Sequence, residues 1–201
     1  MEEWYPEKLK QEIKKRSNGF FFLLLHFTLF TRSQTVNWKF TTGGTGDESP
    51  IANMPYVHKD VDGFIYHGGV FASSSMDVDP GVGVVTITNS GGIDGYFAKY
   101  TSTGGLVWAN KIGGTYNDGV NGVGTDGNGN VYVTGYFNGT VDFDPSPTAT
   151  YNLTSVATGG PITGSVFLAK YNPNGQFIWA LSFGSGTVFD YGWNVTVTPS
   201  G

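Results

Sequence analysis

Beyond about residue 35 the chain reads as short runs rich in Val, Ile, Tyr, Phe, Thr and Trp, broken by clusters of turn formers, with no helical periodicity. Asn130 to Phe137, Ser165 to Tyr171 and Gln176 to Phe183 are such runs, and Asp126-Gly-Asn-Gly129 and Asn172-Pro-Asn-Gly175 are separators. β-Branched and aromatic side chains fit a pleated surface, while Gly and Asn tolerate the positive φ that tight hairpins demand. The pattern therefore predicts antiparallel strands. Four can be drawn in one unit, roughly 120–126, 130–137, 165–171 and 176–183, with a further extended piece near 150–154.

The unit recurs. Trp38, Trp108 and Trp179 stand 70 and 71 residues apart in similar phrases, Asn-Trp38-Lys-Phe, Val-Trp108-Ala-Asn and Ile-Trp179-Ala-Leu. Phe97-Ala-Lys-Tyr100 returns as Leu168-Ala-Lys-Tyr171, Asp60 to Phe71 as Asp126 to Phe137, and Asp77-Val-Asp-Pro80 as Asp142-Phe-Asp-Pro145. Such a period marks stacked units, none able to bury its hydrophobic face alone. A four-stranded antiparallel unit repeated in this way is the blade of a β-propeller. The expected fold is all-β, a partial propeller of about two blades plus the start of a third. Residues 36–50 form a clasping strand, 51–112 the first blade, 113–183 the second and 184–201 the beginning of the third. Trp38 then belongs to a fourth strand whose other three are absent, and residues 192–201 repeat a first strand. Since a ring takes about four to eight blades, the chain is expected to be a fragment of a longer protein whose missing blades are its partners.

Two stretches, Asp94 to Gly114 and Asp126 to Pro145, resemble the SBBP-type β-propeller repeats of secreted bacterial proteins. The resemblance spans about residues 36–201. It implies a propeller carried in large surface or extracellular proteins, and it brings no shared catalytic residues.

Residues 1–33 read as a signal peptide: a segment with Lys8, Lys10, Lys14, Lys15 and Arg16, then the apolar run Phe20 to Phe30, then Thr31-Arg-Ser-Gln34. The run is too short to span a bilayer. The expected location is therefore secreted or cell surface, with no membrane span once the leader is removed. From Gln34 onward there are 5 Lys and Arg against 12 Asp and Glu, a net of 5 − 12 = −7. No basic cluster exists there to neutralise phosphates, which argues against nucleic acid as a partner. The chain has no Cys, so packing and strand pairing must hold the blades.

Candidate chemistry is sparse. Asp77 with Asp79, and Asp142 with Asp144, are carboxylates two apart on an extended chain, a pattern that attracts Ca²⁺. Against this, strand geometry leaves them about 7 Å apart, and a repeated strand-ending turn is the favoured reading. Asp126-Gly-Asn-Gly-Asn130 lacks the Gly and Glu of a calcium loop. In its copies Gly63, Gly129 and Gly201 persist where the carboxylates do not, so these glycines are assigned to hairpin turns. His58 and His67 have no counterparts in the other copy and are read as lone strand residues. Trp38, Trp108 and Trp179 invite a sugar-stacking role, but a residue present in every unit is better explained by packing between blades. No catalytic residues are assigned and no cofactor is expected. The reading is a non-catalytic structural or binding scaffold, with a lectin-like or adhesin ring, or a propeller attached to an enzyme domain, as alternatives. Ligand contacts, to protein or glycan, are expected in the loops Ser73 to Gly92 and Asn138 to Gly164, where copy lengths differ. Sequons at Asn138, Asn152 and Asn194 would matter only in a glycosylating host.

Overall fold

The computed structural model describes residues 56–156, 164–186 and 188–201. The leader and the Trp38 strand lie outside the described residues. The first unit contains β1 (Tyr56–Lys59), β2 (Ile65–Phe71), β3 (Ser75–Asp77), β4 (Thr86–Thr88), β5 (Asp94–Tyr100) and β6 (Leu106–Ile112). The second contains β7 (Gly119–Thr125), β8 (Val131–Phe137), β9 (Thr140–Asp142), β10 (Asn152–Thr154), β11 (Ser165–Tyr171) and β12 (Phe177–Phe183). Each unit is a four-stranded antiparallel sheet, in the order β1-β2-β5-β6 and β7-β8-β11-β12. Both sheets have the form of propeller blades. The turns joining β1 to β2 and β7 to β8 need a left-handed residue, and Gly63 and Gly129 supply it with φ of 90° and 76°.

The recurring phrases recur because they meet across the sheet. Tyr66, Lys99 and Trp108 are register partners in the first sheet, as Tyr132, Lys170 and Trp179 are in the second. Each row is held by its lysine. Lys99 Nζ lies 4.1 Å from the Phe64 ring centroid and 5.4 Å from that of Tyr66, and Lys170 Nζ lies 4.7 Å from that of Tyr132. Lys170 also pairs with Asp126 at 3.5 Å. The attraction of an ammonium for an aromatic face is strongest where water is excluded, as at the almost wholly buried Lys99.

The extended piece expected near 150–154 is half of a small hairpin. β9 pairs β10 as β3 pairs β4, and each pair is inserted between the second and third strands of its sheet. The inserted β9–β10 hairpin contributes Val141 and Phe143 to the largest hydrophobic core, which also takes Tyr66, Phe97 and Ile112 from the first sheet and Phe167, Ala169 and Tyr171 from the second. It thus fills part of the gap between the two sheets. Its anchor is a buried hydroxyl: Tyr171 donates to the Phe143 carbonyl at 2.9 Å, and Tyr100 donates to the Val78 carbonyl of the first hairpin at 3.0 Å. The recurrence of Tyr in one phrase and of Asp-x-Asp-Pro in another is therefore one structural fact. Tyr171→Phe should lower stability by about 1–3 kcal/mol, because a buried carbonyl loses its donor. Urea denaturation of both proteins checks this.

Residues 190–198 run extended alongside β7 and β8 but form no strand ladder. β7 obtains its ladder from β8; 190–198 have no such neighbour among the described residues. Single contacts hold the segment, with the Gly192 N–H donating to the Gly135 carbonyl at 3.2 Å and the Asn121 side-chain amide to the Gly192 carbonyl at 3.0 Å.

Candidate functional site

The seam between the sheets collects most of the residues that recur. Trp108 packs edge-on to Phe97 and Tyr66, with ring centroids 5.7 and 6.3 Å apart, and Phe97 in turn meets Tyr171 of the second sheet at 4.7 Å. The Trp108 indole N–H donates to the Pro173 carbonyl at 3.1 Å, the Asn110 amide to that of Gly175 at 2.7 Å, and Lys99 Nζ to that of Pro173 at 3.4 Å. Both acceptors lie in the β11–β12 turn. That turn holds itself in shape, since Asn172 Oδ1 accepts from the N–H groups of Asn174 and Gln176 at 2.9 and 3.0 Å. The second sheet is thus clipped to the first by one turn and the Trp row of its neighbour.

Among the described residues no sheet covers the same row in the second sheet. Ile112 is fully buried at the seam, whereas Phe183 at the equivalent position is 53% exposed, and Leu181, two residues before it, is also exposed. Trp179 has one neighbouring ring among the described residues, Tyr132 at 6.2 Å. Near β8 the face is partly closed by a row of aromatics, with Phe189 and Tyr191 packed on Tyr136 and Trp193 stacked beyond them. An apolar face of this kind, lined by the same residue types as a covered seam, suits a further sheet.

The paired carboxylates close the tips of the inserted hairpins. Asp77 Oδ1 accepts from the N–H groups of Asp79 and Val85, both at 3.0 Å, and Asp142 Oδ1 from those of Asp144 and Tyr151 at 3.0 and 2.8 Å. Asp79 and Asp144 repeat the device two residues on, accepting from Gly81 at 2.8 Å and Ser146 at 2.9 Å. Val78 and Phe143, between the two acids, point into the core. Among the described residues no three His, Cys, Asp or Glu side chains converge on one point. The Asp126 carboxylate serves its turn in the same way, accepting from the N–H groups of Asn128 and Asn130. Burial alone would push Asp126 up, but the hydrogen bonds from Asn130 and Asn128 and the charge of Lys170 outweigh it and hold the group below the usual range.

The two described histidines lie in different surroundings. His58 bonds Thr125 Oγ1 of the second sheet at 2.8 Å, and the buried His67 bonds the Tyr96 hydroxyl at 2.9 Å through Nδ1. Burial pushes His67 down to about 4, which keeps its ring neutral near pH 7.

Sequence reasoning passed over the connection from β6 to β7. There Asp118, fully buried, accepts the N–H groups of Gly114 and Asn138 at 2.7 and 2.8 Å, and its own N–H donates to the Ile93 carbonyl at 2.7 Å. Asp94, equally buried, accepts the Ser90 N–H at 2.7 Å and pairs with Lys111 at 3.2 Å. Asp190 recurs at the place of Asp118, which was the available signal.

No protein family model matches the chain. Over 99 residues, 48% of its length, the chain is 31% identical to an uncharacterized WD repeat-containing protein of Acanthamoeba polyphaga mimivirus. The matched segment spans 7% of that protein. Two blade-shaped sheets and similarity to a repeat protein of that kind agree on a β-propeller type of repeat.

Proposed function

We propose that this chain is a non-catalytic β-propeller repeat module, a structural or binding scaffold within a larger exported protein of the SBBP-like bacterial type. One observation carries the scaffold reading: Tyr66, Lys99, Tyr100 and Trp108, which recur between units, are engaged in row, hairpin and seam contacts. What varies between copies is loop. The tip 80–85 is Pro-Gly-Val-Gly-Val-Val, with Val82 and Val84 exposed, where the second copy has Pro-Ser-Pro-Thr-Ala-Thr. Variable loops on a fixed frame are where partners, protein or glycan, are read. Further blades of the same type cover the open face of β11 and β12, and Ca²⁺ at the hairpin carboxylates is a subsidiary candidate.

Export is supported by the basic segment and the apolar run at 20–30. Expressed from its own start codon in a bacterium, the chain should be recovered outside the cytoplasm, with a mature N-terminus near Gln34 by intact mass. Recovery of an uncleaved chain in the cytoplasm would overturn the exported reading and leave the scaffold reading standing.

A further inference from the structure

We propose that the connection between the two sheets is a proton-dependent lock, in which the buried carboxylates Asp94 and Asp118 hold one proton between them and its release loosens the second sheet from the first. The inference begins with a charge count. Asp94 and Asp118 are fully buried, and the charged groups acting on Asp118 among the described residues are Asp94, on β5, and Lys111, on β6. Two carboxylates against one ammonium leave an excess negative charge away from water, a state that a protein normally escapes by protonation.

The geometry limits other ways out. Lys111 is committed to Asp94 Oδ2 and to Ser90 Oγ. Asp94 Oδ1 is buried with no hydrogen-bond partner. The two carboxyl groups flank one dipeptide: the Gly114 N–H donates to Asp118, and a Cβ on Gly113 would fall 2.2 Å from Asp94 Cγ. Glycine at 113 is what lets the Asp94 carboxyl lie so close to the backbone. One proton on the pair removes the excess charge.

The electrostatics run the same way. Burial, reinforced by Asp94, pushes Asp118 up to about 7 against the opposing amides of Asn138 and Gly114 and the charge of Lys111. Burial also raises Asp94, against Ser90 and Lys111. Because the two groups interact, the titration belongs to the pair.

The lock is particular to this junction. In the next unit Ser165 stands at the position of Asp94, and Asp190 accepts from the Ser185 N–H at 2.7 Å and from its hydroxyl at 3.1 Å. Asp190 is only partly buried, and no second acid stands at the place of Asp94.

A folded value raised above the unfolded one gives stability that is complete below about pH 4 and is lost as the pH rises through about 7. His67, held down at about 4, acts oppositely below about pH 6.5. His58, also held down chiefly by burial, has the same sign as His67. The native profile alone therefore sums opposing slopes, and the informative quantity is the difference between native protein and Asp118→Asn in the full chain. Between pH 5 and pH 8 the advantage of the native chain in its folding equilibrium constant should shrink roughly a hundredfold, a tenfold change for each unit titrated. An advantage that is constant or grows with pH overturns the proposal. If Asp118→Asn does not fold, infrared spectra of the native protein replace it. A buried carboxylic acid C=O band present at pH 5 and lost by pH 8 supports the lock, and its absence at pH 5 overturns it.

Discussion

Trp108→Ala, at a half-buried residue packed against the core, should cost about 3–5 kcal/mol, the range for truncating a large aromatic, whereas Trp179→Ala should cost about 1 kcal/mol or less. The two residues occupy equivalent positions in equivalent strands, so propensity and strand pairing are the same for both. What differs is the neighbour. Trp108 packs against Phe97 and Tyr66 and donates to the Pro173 carbonyl, so its removal opens a cavity at the seam and leaves that carbonyl without its indole donor. Trp179 has Tyr132 as its neighbouring ring and an exposed apolar face around it. Losing 3–5 kcal/mol is enough to unfold a marginal domain. Chemical denaturation of both variants checks the difference, and equal losses would mean that the seam contacts of Trp108 contribute little.

The second large effect concerns how the units fit. A Cβ on Gly68 would fall 2.7 Å from Val120 Cγ1 and 2.9 Å from Val123 Cγ2, so β7 lies directly on the β2 backbone at this point. One unit later the sizes are exchanged. Thr134 stands where Gly68 was and Gly192 where Val120 was, and a Cβ on Gly192 would fall 2.4 Å from Thr134 Oγ1. Gly68→Thr alone should overpack the seam and cost about 1–3 kcal/mol. Val120→Gly alone should cost about 2–4 kcal/mol, through lost burial and added backbone freedom. Together they reproduce the Thr134–Gly192 pair, and the double variant should recover about 1–3 kcal/mol of the summed losses. A hydrogen bond helps, since Thr134 donates to the Phe167 carbonyl at 2.7 Å and the Tyr96 carbonyl lies at the matching place near Gly68. A double-mutant cycle by urea titration measures the coupling; strict additivity would show that the exchange in size is incidental.

Much of the fold was legible because the repeat fixes strand order and turn position together. The expected runs 165–171 and 176–183 correspond to β11 and β12 almost residue for residue. The inserted hairpin was only half visible. β9 and β10 have three residues each, too short for composition to mark, and their stability comes from Val141 and Phe143 in the core between the sheets. Residues 190–198 show the reverse. Their sequence repeats that of a first strand, yet no ladder forms among the described residues, because hydrogen-bonded pairing is a property of two segments and of neither alone.

The candidate site was less legible than the fold. Asp118 carries no motif, and only its burial beside Asp94 with a single lysine makes it unusual. Sequence by itself determined that this protein is made of β units with Tyr, Lys, Trp and Asp-x-Asp-Pro at fixed places, since periodicity and turn chemistry are local. Tertiary structure alone decided that Tyr66, Lys99 and Trp108 form one row, that the Pro173 turn caps it, and that two acids come to lie around Gly113 and Gly114. Those facts depend on register and on stacking between sheets, which join residues up to 74 positions apart. Burial then sets the charge states, because the cost of an ion depends on the dielectric around it and not on its neighbours in the chain.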